Sequence, residues 1–279
     1  MIAENDVLFD YGLQIEVGEM EPDTIYLDGV VRGPVVDNER RSYSFDHHGD
    51  CLRMATLATC QQVRLALELG LDPEGMSVVV NDLDADASLG LWLLRNPECA
   101  DDERVRQMVG DVGFVDAHGP VRQATKLHRV LTHGHDANLD RQMLWDDQAL
   151  IDEWYRDGDA ALPTPDRLEA APAFGVTRGG EFCEFDTVDS FAELYERGVV
   201  AGVIIPEAPG DTRGYTVAKR SEFVDFDVQA FLHRIEEYEA GWGGASTIGG
   251  APRRSGGERS TLPVDTVRQL FRNVAGNSE

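Results

Sequence analysis

Residues 76–81, M76-S-V-V-V-N81, form a short continuous apolar run. A strand without polar alternation has to be covered on both faces, which favours a parallel strand inside an α/β sheet with helices on either side. The run ends in N81-D-L-D-A-D-A-S88, and an apolar helix over L89-G-L-W-L-L94 follows at once. In an extended segment Asp82, Asp84 and Asp86 alternate and project to one side. They stand where a strand's C-terminal end meets a helix N-terminus, a position at which open α/β sheets place ligands and helices favour anions. Three crowded carboxylates repel one another unless cations lie between them. The alternative is a helix cap at Asp86 with the other two solvated.

The same pattern recurs earlier. T24-I-Y-L-D-G29 is an apolar run ending in Asp28, either a carboxylate at a strand tip or a turn-forming Asp-Gly. R40-R-S-Y-S-F45 predicts a second strand that leads into S44-F-D-H-H-G-D50. There Asp46, His47 and His48 stand side by side. Adjacent residues share no face of a regular element, so they converge only where strand gives way to loop. Carboxylate oxygen with imidazole nitrogen suits Mn, Fe or Zn; otherwise Asp46 caps the next helix. Residues 51–70 predict that helix, with Leu52, Ala55, Ala58, Leu65 and Leu69 on its apolar face and Gly70 as its stop. It would carry Cys51 and Cys60 on opposite sides. Residues 101–115 predict another helix, after which G113-F-V-D-A-H-G119 alternates Asp116 with His118 as a further ligand pair. His133 and His135 read as loop histidines, and residues 139–156 as an acidic helix.

Charge narrows the function. The chain has 51 acidic residues against 25 basic, a net −26, and its lysines are Lys126 and Lys219. Such a surface stays hydrated at high salt, which predicts a halophilic protein. It excludes long duplex nucleic acid as a partner, because no basic patch displaces phosphate counterions. No apolar run reaches membrane-spanning length, so no membrane partner is expected. The opening M-I-A-E-N-D lacks the regions of a signal peptide, which predicts a cytoplasmic location. The four cysteines have no CxxC spacing and are expected to be reduced.

Proline and alanine at 163–166 and 170–172 mark a linker. Beyond it comes a second α/β alternation: a helix over 188–198, strands over 199–205 and 215–220, a helix over 227–241, and a last helix from Pro263. Between these helices lies W242-G-G-A-S-T-I-G-G-A-P-R-R-S-G-G257. A glycine loop of this kind exposes backbone N–H groups that cradle an anion, or is a flexible linker. Arg253 and Arg254 would supply the counter-charge.

These residues resemble the DHH phosphoesterase superfamily with its C-terminal DHHA1 domain. The resemblance rests on F45-D-H-H-G49, on D84-A-D-A87, on Asp28, and on V217-A-K-R-S221 followed by a helix and the glycine loop. The motif order is permuted, since Asp-x-Asp follows Asp-His-His. The family's histidine before Asp-x-Asp and the one after the loop glycines are absent. The resemblance implies residues 1–160 as a parallel-sheet, metal-binding catalytic domain, 161–172 as linker and 173–279 as a smaller substrate-binding α/β domain, with the active site in the cleft between the domains. It implies a two-metal phosphohydrolase carrying two Mn²⁺ per chain, with Mg²⁺, Co²⁺ or Fe²⁺ as alternatives. Asp28, Asp46, His47, Asp84, Asp86 and Asp116 would bind metal, and Asp46, His47 and His48 would form the catalytic triplet. Arg220, Gly243, Gly244, Ser246, Thr247, Arg253 and Arg254 would hold substrate phosphate. Expected partners are a small phosphorylated or nucleotide-like substrate, short single strands as an extension, and a second copy in a homodimer. A non-catalytic nucleotide- or metal-binding regulator of the same fold is the alternative.

Overall fold

The computed structural model describes residues 2–48, 51–119, 121, 124–131, 140–164, 170–252, 254 and 257–276. The chain forms two compact units, Met1–Ala117 with Ala124–Pro165, and His118–Gln123 with Asp166–Glu279.

The first unit is built on strands β1 (Val7–Phe9), β2 (Thr24–Leu27), β3 (Val35–Asp37), β4 (Ser42–Phe45) and β5 (Ser77–Val80). Their order is β1-β5-β2-β4-β3, parallel throughout except for the antiparallel edge strand β3. Every residue of the central β2 is buried. Ile25, Leu27, Val78 and Val80 enter one core, whereas Tyr26 and Val79 point into a second with Met20, Val30 and Val31. The unbroken apolar run of β5 is therefore explained by two covered faces.

Helices α1 (Thr59–Glu68), α2 (Ala85–Arg95), α3 (Glu103–His118), α4 (Lys126–Leu131) and α5 (Arg141–Asp157) complete this unit. Every residue of α2 from Ala85 to Leu94 is buried, matching an element that is apolar nearly all round. Gly113 of α3 faces α1; a Cβ there would lie 2.6 Å from the Gln61 side chain. Glycine thus lets α3 run close to α1, one turn before Asp116.

Several boundaries differ from the sequence reading. The helix expected from Cys51 begins at Thr59, so Cys51 and Cys60 do not share it. Leu52 and Leu69 are 55% and 78% exposed, and the packed face is instead Thr59, Cys60 and Val63. Helical spacing alone did not supply a core for the earlier residues to face. The helix expected at Leu89 starts at Ala85, so Asp86 lies in its first turn and not in an extended segment. Asp116 and His118 both belong to α3, where residues two apart diverge around the axis. His133 and His135 lie outside the described residues.

The second unit comprises β6 (Ala171–Thr177), β7 (Phe182–Val188), α6 (Phe191–Glu196), β8 (Val199–Ile204), β9 (Thr216–Lys219), α7 (Val228–Glu236), β10 (Gly243–Gly244), β11 (Ile248–Gly250) and α8 (Val264–Ala275). The sheet order is β10-β11-β9-β8-β6-β7, and every pairing is antiparallel. The helices and strands expected beyond residue 188 are present as α6, β8, β9, α7 and α8, whereas the 170–172 segment read as linker opens β6, which pairs with both β7 and β8. One face packs Phe174, Val203, Val217, Phe231 and Phe271 with α7 and α8; the other packs Ala173, Phe191, Leu194 and Val199. Among the described residues no helix is long and apolar enough to cross a membrane. The four cysteines form no disulfide.

Candidate metal centre

Strand register brings the chemistry together. Leu27 is opposite both Phe45 and Val80, so the next residues, Asp28, Asp46 and Asn81, line one C-terminal sheet edge. Asp28 turns there with φ of 52°, a left-handed conformation that Asp tolerates better than most residues. Its backbone N–H donates to the Phe45 carbonyl at 3.0 Å, tying the two strand tips together.

Asp46 organises the triplet. Its Oδ2 accepts from the Gly33 N–H at 2.6 Å, and its Oδ1 accepts from the His48 N–H at 2.9 Å and lies 2.8 Å from His48 Nδ1. The two imidazoles therefore splay, with ring centroids 4.7 Å apart and planes at 69°. His47 is fully buried, whereas the His48 side chain keeps 39% exposure.

Two helix N-termini meet this edge. Asp84 caps α2 by accepting from the Ala87 N–H at 2.8 Å. Asp86 reaches across to α1, where its two oxygens accept from the Thr59 N–H at 2.7 Å and the Cys60 N–H at 2.9 Å. Thr59 Oγ1 is 3.2 Å from Asp28 Oδ1 and 3.1 Å from the Phe45 carbonyl oxygen. Asp116 arrives from the last turn of α3.

His47 is the hub. Its Nε2 is 2.7 Å from Asp116 Oδ2, 3.7 Å from Asp86 Oδ2 and 3.8 Å from Asp28 Oδ1; Asp28 Oδ1 is in turn 3.4 Å from His48 Nδ1. Two overlapping groups result, Asp28–His47–His48 and His47–Asp86–Asp116, each with its ligand atoms within 4.8 Å of one another. Both ring nitrogens of His47, and Asp116 Oδ2, are buried without a hydrogen bond of acceptable geometry. The 2.7 Å contact is therefore close but misaligned. Buried polar atoms of this kind are normally satisfied, and a hard divalent cation accepting oxygen and imidazole donors fits them.

Electrostatics agree with that fit. Burial, followed by the charges of Asp84, Asp86 and Asp116, pushes the Asp28 carboxyl well above the ordinary carboxylate range. Burial and the charges of Asp116 and Asp86 do the same to Asp84; Asp86 is also raised, by burial and then Asp116. Burial works against the charged forms of Asp116 and His47, but their mutual contact wins, holding Asp116 low and His47 high. For Asp46, burial is outweighed by the His48 and Gly33 contacts, and its carboxyl is lowered. Groups raised on folding bind more protons in the folded chain than in the unfolded one, so their contribution is lost as pH rises. The metal-free protein is thus expected to melt at lower temperature as pH goes from about 5 to 8 in EDTA, by about 2–4 °C for each kcal/mol lost. Below about pH 4 the sign reverses, because Asp46 and Asp116 lose their contribution as pH falls through their depressed values. Thermal melts across this range in molar KCl check it; a melting temperature that climbs from pH 5 to 8 would contradict the raised carboxylates.

Of the expected site residues, Asp28, His47, His48, Asp86 and Asp116 come together. Asp46 and Asp84 stand outside both groups, engaged instead with backbone N–H donors. Thr59 was missed by the sequence reading: its hydroxyl and its N–H each touch a candidate ligand, and a lone Thr gives no local signal of that role.

The second unit departs further from expectation. Gly243 and Gly244 form β10, paired with Gly250 and Gly249, so the glycine stretch is a tight hairpin and not an open anion cradle. Thr247 is buried, Ser246 is exposed, and Arg220 is exposed at the end of β9. Arg254 pairs with Glu239 at 2.9 Å. Despite burial, Glu239 is held down to about 2 by hydrogen bonds from Ser260, the Thr261 N–H, Trp242 and Arg254. Arg253 lies outside the described residues. No family model, curated protein or solved structure matches the chain.

Proposed function

We propose that the chain is a metal-dependent phosphohydrolase of the DHH kind, acting on a small phosphorylated or nucleotide-like substrate, with the second unit as its DHHA1-like substrate-binding part. One observation carries this reading: two overlapping carboxylate–imidazole groups share the buried, hydrogen-bond-free His47 at the C-terminal edge of a parallel sheet. Divalent cations bound there, Mn²⁺ by preference, would supply Lewis-acid polarisation of a phosphoryl oxygen. Asp28, Asp86, Asp116, His47 and His48 would hold them. Asp46 Oδ1 lies 2.8 Å from His48 Nδ1, the nitrogen that also faces Asp28, so this carboxylate would orient the His48 ring. The N–H groups of α1 fix the Asp86 carboxylate, and Thr59 steadies Asp28.

The test is Mn²⁺-dependent hydrolysis in molar KCl of bis-p-nitrophenyl phosphate, short oligonucleotides, cyclic dinucleotides and pyrophosphate. Turnover of at least one is expected, falling by about 10²-fold or more in His47→Ala. Inactivity on the whole panel by protein that has taken up Mn²⁺ would favour the non-catalytic regulator. The engagement of Asp46, Asp84 and Asp86 with backbone donors speaks for that second reading, because it lowers the count of unengaged carboxylates.

A further inference from the structure

Arg53 lies between the Asp-His-His triplet and α1, half-buried, and its Nη1 donates to the Asp116 carbonyl oxygen at 3.1 Å. Among the described residues it makes no other hydrogen bond and no ion pair. Arg41, Arg64, Arg106 and Arg254 each bond a carboxylate, whereas Arg53 meets a carbonyl beside the candidate ligands. A carbonyl contact fixes one edge of the guanidinium without neutralising it. The charge still bears on the site, since it is among the influences on both Asp116 and His47.

We infer that Arg53 binds a phosphoryl oxygen of the substrate, an assignment that rests on the phosphohydrolase reading. Asp28, Asp46, Asp84, Asp86 and Asp116 bring five carboxylates to one sheet edge, one negative charge more than two divalent cations would offset. An incoming phosphoryl anion therefore needs a further positive partner, and Arg53 is anchored beside Asp116 to provide one. The planar fork of a guanidinium, held along one edge, leaves a second pair of N–H donors suited to two oxygens of a tetrahedral anion. The arginines expected from sequence to do this are otherwise disposed: Arg254 is bound to Glu239 and Arg220 is on the surface of the second unit.

The experiment is calorimetry on the full chain in molar KCl, titrating Mn²⁺ first and then inorganic phosphate into the Mn²⁺-loaded protein. Arg53→Gln is expected to take up Mn²⁺ as wild type does and to bind phosphate about 10–100-fold more weakly. Arg53→Lys, which keeps charge but loses the fork, is expected to fall between. Turnover, where present, should show the loss mainly in KM. Phosphate affinity unchanged in Arg53→Gln overturns the assignment, and so does loss of Mn²⁺ uptake in both variants, which would make Arg53 a support for Asp116. Wild type that takes up no Mn²⁺ overturns the metal reading itself, and this assignment with it.

Discussion

Asp28→Asn is expected to raise the melting temperature of the metal-free protein while removing most of its response to Mn²⁺. Asp28 is 5% exposed, and burial and the surrounding carboxylates together disfavour its charge. Asparagine is nearly isosteric, tolerates the left-handed backbone at this position, and keeps an oxygen for the Thr59 hydroxyl. Removing one charge from the crowd relieves repulsion in the absence of a cation. An amide is a much weaker ligand for a hard cation, so Mn²⁺ affinity is expected to fall by about 10²-fold or more. A cation at a hundred times its Kd stabilises wild type by about 2.7 kcal/mol. That corresponds to about 5–11 °C in a protein of this size. The ranking of the two proteins should thus invert between EDTA and saturating Mn²⁺, measured as two melting curves each. If Asp28→Asn melts lower in EDTA, the carboxylate is stabilising by its own hydrogen bonds, and the cluster is a satisfied polar network with no need of a cation.

The sheet edge that holds Asp28 was legible because its signals are local. The apolar runs of β2 and β5 announce strands covered on both faces, and β4 leads directly into the triplet. What escaped the sequence depends on partners distant along the chain. The start of α1 is decided by Asp86, 27 residues on, which supplies acceptors for the Thr59 and Cys60 N–H groups. Leu52 and Ala55 have helical spacing but no such cap, and Leu52 stays exposed. Asp84 and Asp86 were read as neighbours on an extended face, yet one caps α2 and the other reaches α1. Alternation of Asp116 with His118 suits a strand as well as it suits two sides of a helix. Pro172 and its alanine neighbours make 170–172 look like linker, and only the pairing of β6 with β7 and β8 draws that segment into a strand. Arg53 carries no motif; its role depends on the carbonyl it meets 63 residues away.

Phe271→Ala is expected to destabilise the second unit by about 3–5 kcal/mol, the range for truncating a buried aromatic ring. Phe271 is fully buried in α8 and joins three other aromatics, with ring centroids 4.6 Å from Phe226, 5.4 Å from Phe174 and 6.1 Å from Phe231. These rings come from β6, from the segment before α7, and from α7 itself, so one truncation loosens the packing of α8 against all three. Phe271→Leu, which refills most of the volume, should cost about 1.5 kcal/mol or less. Urea unfolding followed by far-UV circular dichroism, with and without Mn²⁺, reads both the size of the loss and where it falls. The candidate ligands Asp28 to Asp116 all belong to the other unit. An early transition insensitive to Mn²⁺, followed by a later one that Mn²⁺ shifts, is therefore the expected pattern for Phe271→Ala. Chains of two units need not unfold in one step, so this pattern follows from separate cores. One transition, shifted as a whole and taking Mn²⁺ uptake with it, would mean that the cores unfold cooperatively. The stability of the metal centre would then be set in part by aromatic packing in the other unit.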